Sequence, residues 1–164
     1  MADIRRVEAD RWEAVRDVRL RALRDAPEMF WATYEDEVSR PPGWWQGFIE
    51  AGAWFLAVQG DEPVGIAAAI RDDRFDPATR QLISMWVAPG ARRGGVGLQL
   101  VKAVQGWAVT AGVRTLLLDV TQGNDAARRL YERCGFRFTG RSTRHPRTSR
   151  LRELEMRMEL HLDR

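Results

Sequence analysis

Cysteine is almost missing from this chain of 164 residues: Cys134 stands alone. A single thiol excludes an internal disulfide and a Cys/His zinc cluster, and a reducing compartment is its simplest setting. Histidine is nearly as scarce. His145 and His161 lack partners at metal-ligand spacing, so no metal is expected. Lysine is confined to Lys102 although Lys and Arg together number 26; the positive charge is therefore arginine, as a GC-rich genome would favour. No apolar run approaches the roughly 18 residues of a membrane span. The first residues, Met1 to Arg6, lead straight into patterned sequence without a signal-peptide apolar core, so no membrane partner and a cytoplasmic location are expected. There is no internal repeat and no linker, and 45% apolar residues suffice for one core. A single domain over residues 1–164 is expected.

Glycine, in contrast, is concentrated where it is informative. Val87-Ala88-Pro89-Gly90-Ala91-Arg92-Arg93-Gly94-Gly95-Val96-Gly97 joins a β-rich stretch to a helical pattern. A glycine-rich turn between strand and helix leaves backbone N–H groups unpaired, and the helix N-terminus adds partial positive charge, which together suit a phosphate. A P-loop would need G-x-x-x-x-G-K-[ST], but Val96 follows Gly95. A dinucleotide fingerprint would need a third glycine where Leu100 stands. What remains is R-x-x-G-x-G, formed by Arg92, Gly95 and Gly97 and preceded by V-x-P. This resembles the acetyl-CoA pyrophosphate loop of the GNAT N-acetyltransferases; a tight turn without ligand would use the same residues. Further on, Asn124 to Phe136 reads N-x-x-A-x-x-L-Y-E-x-x-G-F, which resembles the second cofactor segment of that family. One amphipathic helix and one strand separate the two motifs, as in the family, and the resemblance is specific from about Leu82 to Phe138.

Elsewhere the pattern predicts a first strand near Ile4–Val7 and a helix over Arg11–Arg24 with Asp10 as its N-cap. A weaker helix is expected over Tyr34–Ser39 and another over Trp44–Ala51. Strands at Trp54–Gln59 and Val64–Ile70 form a hairpin through Gly60-Asp61-Glu62-Pro63. A strand over Arg80–Val87, a helix over Val96–Ala111 ending at Gly112, a central apolar strand over Arg114–Val120 and a helix over Asn124–Arg133 follow. Phe136–Arg141 reads as a strand, and Leu154, Met156, Met158, Leu160 and Leu162 alternate as another. That tail could pair within the chain or across a homodimer. The resemblance implies an α/β (α+β) GNAT fold: a mixed, mostly antiparallel sheet of six to seven strands flanked by about four helices.

The implied reaction moves acetyl from acetyl-CoA to a primary amine by direct attack in a ternary complex. The acceptor is a small molecule or a protein N-terminus; the alternative is an acyl-CoA-binding sensor without turnover. Tyr131 sits where the family places the general acid that protonates the leaving thiolate; a phenol packed at a helix–sheet seam is the bland reading. The strand Arg80–Val87 carries no carboxylate, unlike many relatives, and Asp119 is the only one within Leu116–Val120. Asp119 is a candidate base, with an ammonium anchor or a buried structural carboxylate as the competing roles; Ser84 could orient a water instead. The family also implies carbonyl polarisation by backbone N–H groups near Trp86 and Val87. The cofactor contacts implied are Arg92, Arg93, Gly94, Gly95, Val96 and Gly97 on the pyrophosphate, with Asn124 on the pantetheine or a nearby backbone and Ala127 and Tyr131 also against the cofactor. Arg92 and Arg93 as plain solvated residues remain the other reading. Cys134 reads as a packed thiol. Trp31, Trp44 and Trp45 are candidate aromatics of the acceptor wall, which the family builds from Ala26–Gly47 and Gly140–Arg150. Arg137, Arg141, Arg144, Arg147, Arg150 and Arg152 form a run without an intervening acid. It lacks aromatics after Phe138 for base stacking, which disfavours nucleic acid over a solvated loop.

Overall fold

A computed structural model describes residues 2–161. The chain runs β1 (Asp3–Val7), α1 (Trp12–Asp25), α2 (Tyr34–Val38), α3 (Pro42–Glu50), β2 (Gly52–Gln59), β3 (Glu62–Ile70), β4 (Thr79–Val87), α4 (Val96–Thr110), β5 (Thr115–Thr121), α5 (Asp125–Arg133), β6 (Arg137–His145) and β7 (Thr148–Glu159). The strands form one sheet in the order β1-β2-β3-β4-β5-β7-β6. Every neighbouring pair is antiparallel except β4 and β5. The sheet and helices match the expected α/β class. Among the described residues no helix is long and apolar enough to cross a membrane.

Both faces of the central strands β2 and β3 are covered, because α1, α3 and α4 all pack on them. That explains why Ala53–Val58 and Val64–Ala69 are buried without alternation. The weak helix expected over Tyr34–Ser39 is present as the short α2, and the Thr33 hydroxyl caps it by accepting from Asp36 N–H. Asp10 does not cap α1. It lies inside a 3-10 turn, Ala9–Arg11, that leads into the helix.

Two further differences concern the C-terminal half. The arginine-rich stretch is a hairpin rather than a loop: β6 extends to His145 and β7 begins at Thr148. Nearly all of β6 faces solvent at the sheet edge, so it has no apolar alternation to reveal it. β7 ends at Glu159, and Leu160 is buried just beyond it with its N–H donated to Arg114 O at 2.7 Å. The expected Leu162 lies outside the described residues.

An irregularity in β4 shapes the middle of the sheet. Ile66 opposes Trp86 whereas Ala68 opposes Ile83, so Ser84 and Met85 share the place opposite Ala67. Such a bulge bends the strand and increases its twist. Ser84 takes φ 59° there, a left-handed conformation that costs a non-glycine residue about 1–2 kcal/mol. Its hydroxyl accepts a hydrogen bond from Arg19 of α1. Arg19 is itself buried and holds Glu37 of α2 bidentately, Nε to Oε2 at 2.6 Å and Nη2 to Oε1 at 2.7 Å. α1, α2 and β4 are therefore joined by one buried ionic cluster.

Removing one partner of such a pair leaves an uncompensated buried charge, which costs about 3–5 kcal/mol, whereas removing both is far less harmful. Glu37→Leu alone should lower stability by that amount in denaturant melts. The Arg19→Met/Glu37→Leu double variant should recover most of the loss; strictly additive losses would refute the coupling.

Candidate active site

Parallel pairing of β4 with β5 lasts only from Thr79 to Gln81 against Thr115 to Leu117. Past those residues the strands part, and a groove of about 790 Å³ lies between them. Leu82–Val87 of β4, Asp119–Thr121 of β5, the start of α4 and one side of α5 line it. Of the catalytic and cofactor residues expected from the sequence, all but Gly94 line this groove.

The loop before α4 borders the groove. Arg93 and Gly95 both have left-handed φ, 69° and 81°, which turns successive N–H groups the same way. Among the described residues, no acceptor of good geometry meets the N–H groups of Arg93, Gly94 or Gly95. Those of Val96, Gly97 and Leu98 belong to the first turn of α4, which no side chain caps. The result is a concave run of donors at the positive end of a helix of 15 residues. Gly97 answers to a different need, since a Cβ there would come within 3.0 Å of Leu130 Cδ2 and 3.2 Å of Met85 Cε. Glycine at that site lets α4 approach α5 and β4 closely.

Arg92 is oriented away from a purely solvated role. Its Nη2 meets Asp25 Oδ2 at 2.6 Å and its Nε donates to Val87 O at 2.9 Å. The same Asp25 oxygen accepts from Trp86 Nε1 at 2.9 Å. Asp25 thus ties the end of α1 to β4 and to the loop, and the Trp86 hydrogen bond, aided by Arg92, holds its carboxyl below the usual range.

α5 begins at Asn124, whose Oδ1 accepts from Ala127 N at 3.3 Å as an N-cap, while Nδ2 points to Met29 Sδ at 3.3 Å. Tyr131 follows two turns later. It is buried, edge-on to Phe136 with ring centroids 5.9 Å apart, and among the described residues nothing hydrogen-bonds its hydroxyl. Burial drives its ionisation well above the ordinary phenol range, so the ring carries its proton at any physiological pH. Cys134 is the buried C-cap of the same helix, and desolvation raises its pKa too, which leaves an unreactive thiol.

Asp119 is the one outward residue of a buried strand. Although its side chain reaches solvent through the open side of the groove, loss of water raises its pKa from 3.8 to about 6. Repulsion from Glu155, its cross-strand partner, and from Glu153 adds to the shift, and Arg74 opposes it. A carboxylate with that value exchanges protons near neutrality. Ser84 also lines the groove, with its hydroxyl engaged by Arg19.

The acceptor-wall aromatics are placed differently from the expectation. Trp45 is a core residue, Trp44 stacks against Trp45 and Phe48, and Trp31 is 49% exposed. None of the three lines the groove; Met29 and Phe30 do. Met29 and Phe30 fall within the expected wall segment Ala26–Gly47, whereas Arg19 and Asp25 escaped the sequence reading. Only Arg19 left a trace there, as a charge in the middle of the apolar stripe of α1.

A family model described as the acetyltransferase (GNAT) family matches residues 12–136. The aminoglycoside N(6')-acetyltransferase type 1 of Salmonella typhimurium is 27% identical over 143 residues, which cover 83% of this chain and 90% of that protein. Among solved structures, a GNAT-family acetyltransferase from Streptococcus pneumoniae superposes with a TM-score of 0.82 at 19% identity, covering 98% of this chain and all (100%) of its own. A Salmonella typhimurium protein solved with its cofactor acetyl-CoA superposes at 0.76 with 17% identity, covering 100% of this chain and 96% of its own. At these identities the structural likeness speaks to the fold.

The raised pKa of Asp119 makes its charge a burden on the folded state. Between its unfolded value of about 3.9 and about 6 the folded chain binds a proton that the unfolded chain has lost, so this group's contribution falls as pH rises through that window. Above it the unfavourable contribution is complete. Asp119→Asn should therefore raise the melting temperature over wild type more at pH 8 than at pH 4. An equal difference at both values would disprove the shift.

Proposed function

This chain belongs to the acetyltransferase (GNAT) family, and from that premise we propose that it is an N-acetyltransferase carrying the acetyl group of acetyl-CoA to a primary amine by direct attack in a ternary complex. One observation carries the reading: a protonated phenol, Tyr131, and a carboxyl poised near neutrality, Asp119, border the same parting of β4 and β5.

The residues present suit acetyl-CoA. Its pyrophosphate needs several N–H donors and no side-chain obstruction, and the Arg93–Gly97 backbone offers them. The Arg93 side chain lies on the same lip. Arg92 braces the loop through Asp25 and Val87 O. Asn124 and Ala127 form the α5 end along which the pantetheine arm runs. Acetyl-CoA supplies the activated thioester, and the chain supplies proton handling and orientation. Asp119 takes the proton that an ammonium must lose before its nitrogen can attack, directly or through a water. Backbone N–H groups near Trp86 and Val87 polarise the carbonyl. Tyr131 donates its O–H to the departing sulfur and passes its proton as the C–S bond breaks; because the conjugate thiol lies near about 8.5 the transfer is uphill, and the phenolate regains a proton from solvent as CoA leaves as the thiol. Ser84 serves the shape of β4 through Arg19, and no proton is assigned to it.

A small amine rather than a protein N-terminus is the acceptor. The support is the relative that acetylates aminoglycosides, which aligns over 90% of its own length. A cytoplasmic setting accords with a lone buried thiol.

Release of the CoA thiol should require an added amine in a panel of aminosugars, polyamines and short peptides. A sensor without turnover would bind acetyl-CoA and release none. Tyr131→Phe should lower kcat by roughly 10²–10⁴-fold while acetyl-CoA affinity persists; unchanged turnover would remove Tyr131 from its role. The acidic limb of kcat/KM should fall near pH 6 in wild type and disappear in Asp119→Asn. A limb that stays in place at a normal rate would exclude Asp119 as base.

A further inference from the structure

The connection between α1 and α2 has few ties of its own. Its 3-10 turn, Pro27–Met29, is followed by irregular chain up to α2. Yet this segment brings Met29 and Phe30 to the groove. It is held from distant parts of the chain. Arg147, at the tip of the β6–β7 hairpin, donates through Nη2 to Pro27 O and Phe30 O, each at 2.5 Å, and through Nε to Trp31 O at 3.2 Å. One guanidinium thus gathers three carbonyls of the connection. Beside it, buried His145 contacts Glu28 O through Nε2 at 3.1 Å, and its Nδ1 accepts from Arg147 N–H at 3.2 Å. These partners make Nε2 the donor and Nδ1 the acceptor of the ring. On the other side, Asn124 Nδ2 reaches Met29 Sδ. The segment is a strap between the hairpin tip and the cap of α5.

Resting on the acetyltransferase reading, we propose that Arg147 is a positioning residue that fixes the Pro27–Trp31 strap across the acceptor end of the groove, so that the site takes a compact amine and rejects an extended peptide. An extended peptide needs an open track along the sheet. A strap anchored on both sides interrupts that track, while an amine on a small ring system or a short alkyl chain reaches the reacting centre from beneath it. Arg147 touches neither substrate; it acts through Met29 and Phe30. A carbonyl-gathering role asks for a planar fork with several donors, which lysine reproduces only in part.

Arg147→Ala and Arg147→Lys would be compared with wild type on an aminoglycoside, on spermidine and on a hexapeptide with a free N-terminal alanine. The Arg147 side chain is exposed, so the core survives its removal, and acetyl-CoA affinity by calorimetry serves as the control. In Arg147→Ala the KM for the compact amines should rise about 10- to 100-fold with the KM for acetyl-CoA unchanged. The preference for compact amine over peptide should narrow, and Arg147→Lys should restore part of both. Hydrogen exchange of the Glu28–Trp31 amides should quicken in Arg147→Ala and recover in Arg147→Lys, a readout that needs no acceptor. Unaltered exchange, a wild-type preference for the peptide, or an equal rise in both KM values would overturn the proposal. If wild type turns over no acceptor at all, the functional reading of the groove fails, while the exchange measurement still decides whether Arg147 holds the strap.

Discussion

Ser84 adopts a left-handed backbone inside β4, and the parting of β4 from β5 accompanies it. The left-handed conformation of a serine is unfavourable by itself, so something must hold it. Arg19 does so from α1, and Glu37 holds Arg19 from α2. One buried cluster therefore ties the bulged strand that lines the opening to α1 and α2. A bulge residue, an arginine and a glutamate from three elements act as one unit.

Once the sheet is parted, loss of water does the chemical tuning. It raises the pKa of Tyr131 and of Asp119 by the same physical cause, and the outcomes differ because the starting values differ. A phenol pushed upward stays protonated and remains a donor. A carboxylate pushed to about 6 becomes able to hold or release a proton near neutrality. Glu153 and Glu155 on the neighbouring strand strengthen the second effect. Acid and base roles thus follow from where one groove places two ordinary side chains.

The two ends of the groove are built on different principles. The cofactor end relies on backbone: left-handed Arg93 and Gly95 and the uncapped first turn of α4 turn N–H groups outward. The other end relies on side chains that bridge distant segments. Arg147 joins the β6–β7 hairpin to the strap, and Asp25 joins α1 to Trp86 and Arg92. A backbone site depends little on neighbouring sequence. A bridged wall changes with each side chain that spans it, so acceptor choice can diverge while the cofactor site persists.

The sequence alone determined the parts whose physics is local. The glycine loop, the main helices and strands and the placing of Tyr131 on α5 were legible, because turn chemistry, periodicity and motif spacing act over a few residues. β6 was half missed, because a strand at the sheet edge with both faces near solvent has no alternation to read. The Arg19–Glu37–Ser84 cluster, the Asp25 tie and the Arg147 strap stayed hidden, because they join residues 18 to 120 positions apart and no local pattern encodes such a meeting. Likewise Asp119 could be named as a lone carboxylate on its strand, but its ionisation depends on the water excluded around it and on Glu153 and Glu155 beside it. Local sequence chose the chemical groups; only tertiary packing decided which of them share a groove and how readily each gives up its proton.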